Sequence, residues 1–262
     1  MSAPTTTRRP AAPGRARKFA AGLAVAVVIV GFVWWSFVRA GVPVDFTSLW
    51  AYRARLWSGF VMTVVISVGA LCLSLVIGLA TAAARRSSVL FLRYLATAYV
   101  EGIRGTPLLV QIYFFFYLIG TAWGIDNRYL AGVLILSLFE GAYVAEIIRG
   151  AWASIDRQTF EVARAIGLDR WSTFRLVTAP ILQSRALPAL AGQAASIIKD
   201  SSLLSVIAVI ELTQVTQEIS AENFQMFANY LLLGVLYFAL TFPVSLASRA
   251  LERRVARAFG TA

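Results

Sequence analysis

Long apolar blocks separated by short basic segments dominate the chain, with neither the period of two of a half-buried strand nor the narrow stripe of a soluble helix. Runs near 20 mostly apolar residues can cross a bilayer core as helices. Six such runs occur: residues 19–38, 59–83, 94–119, 129–148, 187–210 and 227–247. The third is the least uniform, with Glu101, Arg104 and Pro107 near its start, and the fifth carries Lys199 and Asp200. The pattern predicts an all-α fold, a polytopic membrane bundle of about six transmembrane helices. Between the fourth and fifth runs lies a charged, helix-compatible insert, about residues 150–186, bordered or occupied by Arg149, Arg157, Arg164, Arg170, Arg175 and Arg185.

Composition supports this class. Hydrophobic residues make up 59% of the chain and charged residues 14%, against about 25% charged in a soluble domain. The net charge of +11 sits on basic residues that alternate with the apolar runs, which fits a membrane face and argues against a nucleic-acid footprint. The chain has no histidine and one cysteine, Cys72, so no thiolate cluster, intrachain disulfide or histidine metal site can form. Its two lysines, Lys18 and Lys199, do not follow glycine, which excludes a P-loop. No metal or cofactor is expected in this chain, and no nucleophile–base constellation marks it as an enzyme.

The distribution of arginines sets an orientation. With the N-terminus inside, Arg8, Arg9, Arg15, Arg17, Lys18, Arg85, Arg86, Arg93, the insert arginines and Arg249, Arg253, Arg254 and Arg257 all face the cytoplasm. The far side receives Arg39, Arg53, Arg55 and Arg128 beside Asp45, Asp126, Glu211, Glu218 and Glu222. Positive residues concentrate on the cytoplasmic side, so both termini and the insert are expected there. Residues 1–18 read as a disordered basic tail. Residues 19–58 read as an extra N-terminal span, an uncleaved anchor in place of a signal peptide, with an interfacial connector at 45–57. Residues 59–254 read as the main transmembrane domain and 255–262 as a cytoplasmic tail.

In the insert, Asp156 is placed to cap a helix that ends at Gly167. A second helix is predicted from Asp169 to Thr178, stopped by Pro180. Phe160, Ala163, Ile166, Trp171 and Phe174 would then form an apolar surface. That surface suits a groove on a partner; the alternative is a helix pair resting on lipid.

The insert carries a resemblance. Glu161, Ala163, Gly167 and Pro180 match the spacing Glu-Ala-Ala-x3-Gly-x9-Ile-x-Leu-Pro of the EAA loop of ABC-transporter permeases, with Val162, Val177 and Ala179 departing from it. Tyr99–Gln111, Ala142–Gly150, Ile198–Leu203, Glu211–Thr213 and Gln217–Ile219 are similar to the polar amino-acid uptake branch. The likeness spans about residues 59–254. It implies a permease subunit of the bacterial inner membrane. Such a subunit pairs with a second permease copy or a paralogue and receives a polar amino acid from an extracytoplasmic solute-binding protein. It also implies a separate ABC ATPase dimer that binds the ATP and magnesium. On that likeness the insert is a coupling loop whose Glu161 and Gly167 lie at the ATPase contact. An energy-independent secondary carrier and a membrane scaffold are the alternatives.

Ionisable groups at membrane depth are costly, and each is a candidate for function. Glu101 and Arg104, and Glu146 and Arg149, have the spacing of ion pairs along a helix. Glu140 lies deeper and is free to meet a substrate cation, face a hydrated cavity, or pair with Lys199 or an arginine. Lys199, Asp200, Ser201 and Ser202, with Gln111 as a weaker candidate, are placed either to hold the charged ends of an amino acid or to bond between helices.

Overall fold

A computed structural model describes residues 14–41 and 47–258. Helix α1 (Arg15–Ala40) forms a unit of its own. Its described side chains are exposed, Phe19, Trp34 and Trp35 among them, as expected of a helix that is apolar on every side and bathed by lipid. It ends at Gly41, where φ is 61°. Arg15 to Lys18 are its first turn, not part of a disordered tail; residues 1–13 of that tail, with Arg8 and Arg9, lie outside the described residues.

The second unit begins with α2 (Thr47–Ala51) and α3 (Arg53–Ala84). The segment expected to be an interfacial connector therefore already belongs to a membrane helix from Arg53 onward, and the expected boundary at 58/59 falls inside α3. Next come α4 (Leu90–Arg104) and α5 (Leu108–Tyr113), the latter continued by π-helical turns at Phe114–Gly120. After α6 (Arg128–Ala153) the insert supplies α7 (Arg157–Ala165) and α8 (Arg170–Thr173). A π-helical stretch at Phe174–Thr178 joins α8 to α9 (Ala179–Asp200). A 3-10 segment at Ser201–Ile207, α10 (Leu212–Asn223) and α11 (Met226–Ala258) complete the described chain. All these elements are helical, as the hydropathy pattern requires.

Two of the six expected spans are not simple helices. Four helices among the described residues are long and apolar enough to cross a membrane: α1, α3, α6 and α11. The third expected span is a pair, α4 and α5, bent by 113°. Pro107 cannot donate to the ladder, and the residue before proline disfavours the helical region. The carbonyls left open at the end of α4 still need partners. Gln111 provides them: its Nε2 donates to Ile103 O (2.7 Å), Thr106 O (3.1 Å) and Thr106 Oγ1 (2.8 Å). The fifth expected span stops at Asp200, and the chain reverses at Ala208, a non-glycine residue with φ of 55°.

The core is built on α3 against α6. A Cβ at Gly78 would lie 2.3 Å from Val144 Cγ1 and 3.0 Å from Gly141 O, and one at Gly141 would lie 2.7 Å from Ile77 Cγ2. Small residues let membrane helices approach closely enough for dispersion to hold them. Around this contact Ile66, Ala70, Leu136, Ala142 and Ile197 are fully buried. Val at Gly78 is expected to cost about 1–3 kcal/mol by overpacking, read as a lower thermal midpoint of the detergent-solubilised chain. An unchanged midpoint would show that the two helices do not meet at that point.

At one end of the bundle Arg55 holds Glu218 (2.8 Å) and Glu222 (2.5 Å), tying α3 to α10. Nearby, the fully buried Glu211 caps α10, accepting from Thr213 N and Gln214 N and from the Tyr237 hydroxyl, each at 2.8 Å. At the other end Glu146 of α6 gathers Arg149 (2.6 Å), Arg85 (3.0 Å) and Arg104 (3.8 Å).

Candidate coupling surface and translocation site

The insert begins and ends at one hydrogen-bonded base. Arg185 of α9 donates to Ser154 Oγ (2.7 Å) and to the Ser154 carbonyl, joining the end of α6 to the early turns of α9. From that base α7 projects. Asp156 Oδ1 accepts from Gln158 N (3.1 Å) and fixes its N-terminus. At the other end Gly167 takes φ of 78°, so that Gly167 N reaches Arg164 O and Leu168 N reaches Ala163 O, both at 3.0 Å. That pair of bonds is a Schellman cap, and the left-handed turn favours glycine.

After the turn, Asp169 accepts from Trp171 N (3.2 Å) and Ser172 N (3.1 Å). Hydrogen bonds from the Ser172 side chain and backbone hold the Asp169 carboxyl below its ordinary pKa, so this exposed cap stays ionised at neutral pH. The second insert helix differs from expectation, because Pro180 does not end it. Pro180 sits at the start of α9, and the preceding π-helical turns absorb the bond that proline cannot make. The insert is therefore one short helix followed by a hinge-like glycine turn and the leading end of a long helix. α8, the π-helical stretch and α9 follow one another without a break.

Residues of the proposed docking face divide in two. Glu161, Ile166 and Trp171 are exposed, with Ile166 70% and Trp171 66% accessible, and Phe174 stacks on Trp171 at 5.9 Å between centroids. Phe160 is half-buried. Ala163 is different: it is only 2% exposed and faces inward, so it seats α7 on its own chain and offers nothing to a groove. Val162, 60% exposed, takes the outward apolar role. Glu161 makes no ion pair among the described residues.

The polar groups expected inside the membrane are sorted by the packing of α6 against α9. Glu140, on α6, is fully buried. Its Oε2 accepts from Gln193 Nε2, its carboxyl is hydrogen-bonded to that of Asp200, and no nitrogen or hydroxyl donor reaches its Oε1. Lys199 is exposed and does not pair with Glu140, contrary to one of the expected options. A lysine one position before Asp200 on a helix points about 100° away from it, so only one of the two can face α6. Gln193 escaped the sequence reading. It stands seven residues before Asp200, two helical turns away and on the same face, which is the signal that could have found it.

Ser201 is buried and bonds to Ile198 O (2.8 Å), ending α9, while Ser202 is half-buried in the 3-10 turn. Gln111, expected near the pathway, is instead committed through its amide nitrogen to the α4–α5 bend. The expected Glu101–Arg104 pair is absent. Arg104 turns to Glu146 and lies over the Tyr143 ring at 5.3 Å, and Glu101 is left exposed. Charge alone would favour Glu101, since Glu146 already holds two arginines; the packing of α4 across α6 and the Tyr143 ring place Arg104 at Glu146 instead. Glu146 and Arg149 do pair, bridged by three contacts of 2.6–2.9 Å.

A helical bundle with a buried carboxyl, Glu140, meeting a half-buried one, Asp200, between two of its helices, and an exposed helical insert, has the build of a transport subunit. The chain belongs to the family of binding-protein-dependent transport system inner membrane components, whose model matches residues 74–257. It is 39% identical to the glutamine transport system permease protein GlnP of Escherichia coli (strain K12) over 214 residues, 80% of this chain and 97% of that one. It is 35% identical to the L-cystine transport system permease protein TcyB of Bacillus subtilis (strain 168) over 203 residues, 77% of this chain and 87% of that one. A crystal structure of an amino acid ABC transporter with histidines superposes with a TM-score of 0.76 at 33% identity, covering 81% of this chain and 100% of that one. The MetNI methionine ABC transporter, facing inward, shares the fold at a TM-score of 0.58 and 19% identity. This is a multi-pass inner-membrane permease subunit of an ABC importer, not an enzyme, and the family works with an ATPase subunit and a binding protein.

Proposed function

We propose that this permease moves a polar amino acid past Glu140, Gln193 and Asp200 when ATPase subunits drive the exposed face of α7. The observation that carries the reading is a fully buried Glu140 carboxyl that meets a second carboxyl, Asp200, and the Gln193 amide, with no cation beside its Oε1. Two carboxyls facing each other in a buried site can both ionise only if a cation joins them. An α-ammonium group would be that cation, and the Gln193 amide can both donate to and accept from an amino-acid side chain or carboxylate. Ser201 and Ser202 line the turn just beyond. Lys199 is assigned no substrate contact.

On this reading Glu161, Val162, Ile166, Gly167 and Trp171 meet a cleft on an ABC ATPase dimer, which binds ATP and its magnesium. Phe160, Ala163 and Pro180 shape and seat the segment. A second permease copy or a paralogue completes the pathway, and an extracytoplasmic solute-binding protein delivers the substrate. Both termini and the insert face the cytoplasm, consistent with the arginine-rich Glu146 end and the carboxylate-rich Arg55 end of the bundle. The glutamine and cystine relatives favour an uncharged polar side chain over a basic one.

The test is uptake into membrane vesicles of labelled glutamine, competed by unlabelled cystine, arginine, glutamate and leucine, with the binding protein supplied. Competition by glutamine or another uncharged polar amino acid, with leucine at least about tenfold weaker, is expected from one or two lost hydrogen bonds. Equal competition by leucine would sink the polar-substrate assignment.

A further inference from the structure

At the Glu146 end of the bundle a cavity of about 640 Å³ opens between α3, α4, α6 and α9. None of the transport steps above uses it. Its rim carries Arg85, Arg86, Arg93 and Arg149, and its wall carries Leu79, Tyr94, Ile148 and Leu182. With Arg104 beside Glu146, five arginines face two carboxylates, Glu146 and Glu101, a net charge of +3. The carboxylates do not neutralise the rim evenly. Arg85 and Arg149 are drawn to Glu146, whereas Arg86 and Arg93 have no carboxylate partner among the described residues.

The site is also shaped for more than a charge. The Arg86 guanidinium lies over the Trp152 ring, its Cζ 3.8 Å from the centroid, which holds it in place at the rim. Leu79 is 57% exposed and Tyr94 64% exposed. Both continue onto an outward apolar strip with Val76, Leu90, Phe91 and Leu95, the surface that lipid covers in a membrane helix bundle. The cavity thus joins a cationic rim at the membrane–water boundary to an apolar wall reached sideways from the bilayer. A soluble anion would use the rim and leave the wall empty. An acyl chain would use the wall and need a headgroup for the rim. Basic pockets between membrane helices are where anionic headgroups settle.

We infer that this cavity holds an anionic phospholipid, its phosphodiester between Arg86 and Arg93 and an acyl chain along Leu79, Tyr94 and Leu182. Phe174 of the insert also lines the cavity and stacks on Trp171, so the lipid lies against the segment that leads into α9. The transport reading matters here only for the leaflet, which is the inner one if the insert is cytoplasmic.

The experiment uses the full-length chain purified in neutral detergent with whatever subunits accompany it. It is equilibrated with mixed micelles of phosphatidylglycerol or phosphatidylcholine of matched acyl chains, and retained lipid is counted by native mass spectrometry. Wild type is expected to retain phosphatidylglycerol at least about tenfold over phosphatidylcholine. Arg86→Ala with Arg93→Ala should lose about 25-fold in phosphatidylglycerol retention, about fivefold for each cation removed. Arg86→Lys with Arg93→Lys should keep most of it, and this pair with the wild-type headgroup comparison decides the matter if the alanine chain does not accumulate. Equal retention of the two lipids by wild type, or unchanged retention in the alanine pair, overturns the proposal. Displacement of the lipid by inorganic phosphate alone overturns it too, in favour of a soluble anion. Because no transport is measured, failure here leaves the amino-acid reading standing, and failure of that reading leaves this result standing.

Discussion

Lysine in place of Glu161 is expected to abolish co-purification of the ATPase subunit and to bring ATP-dependent uptake to background, while the chain still inserts and accumulates. The argument rests on what Glu161 does not do. It is exposed, makes no ion pair among the described residues, and stands on a helix whose other charges are Arg157 and Arg164. Its own chain therefore loses little when it is reversed, since a substitution on an exposed face is usually within about 0.5 kcal/mol of neutral. A partner built to receive one carboxylate between two arginines would instead meet three cations, and like charges across an interface cost several kcal/mol. A loss of about 3 kcal/mol is more than a hundredfold in affinity. The measurement is a detergent pull-down of the tagged chain with quantitative mass spectrometry, paired with vesicle uptake. An ATPase recovered in normal amount with Glu161→Lys would place the docking contact elsewhere on the insert.

Glu140→Gln and Asp200→Asn are each expected to lower uptake about ten- to a hundredfold, with the ATPase still bound. Both replacements keep size and remove the carboxyl that an ammonium group would meet. Hydrogen bonds to charged groups contribute about 1.5–3 kcal/mol, which spans that range. Glu140→Gln also allows a relaxed amide pair with Gln193, so folding should be preserved or improved, and transport should fall all the same. If either variant transports with unchanged KM and kcat, its carboxyl is an interhelical strut. If accumulation falls in step with uptake, the pair is structural in the same sense.

Much of the insert was legible because its signals are local. Asp156, Gly167 and Asp169 act on backbone groups within four residues, and each does in the structure what capping chemistry predicts. Pro180 misled because a proline at the first turn of a helix costs nothing, and only the π-helical stretch before it shows that α9 starts there. Ala163 misled for another reason. A short helix has two faces, and which of them is covered depends on the rest of the chain.

The ion pairs followed the same division. Glu146 and Arg149 sit three apart on α6, and their bond needs nothing beyond the helix. Glu101 and Arg104 have that spacing too, yet Arg104 leaves for Glu146, a residue 42 positions on, because α4 packs across α6 there.

Hydropathy, charge order and helix caps are properties of neighbouring residues, so the class of the protein, the membrane-spanning character of α1, α3, α6 and α11 and the projection of α7 were readable from order alone. The break of α4 from α5, the reversal at Ala208 and the meeting of Glu140 with Gln193 and Asp200 were not. Each depends on which helix faces pack together, and close glycine contacts such as Gly78 against Gly141 determine that in three dimensions. Burial then leaves the Glu140 and Asp200 carboxyls facing each other with no cation beside them, a fact that no run of residues could announce.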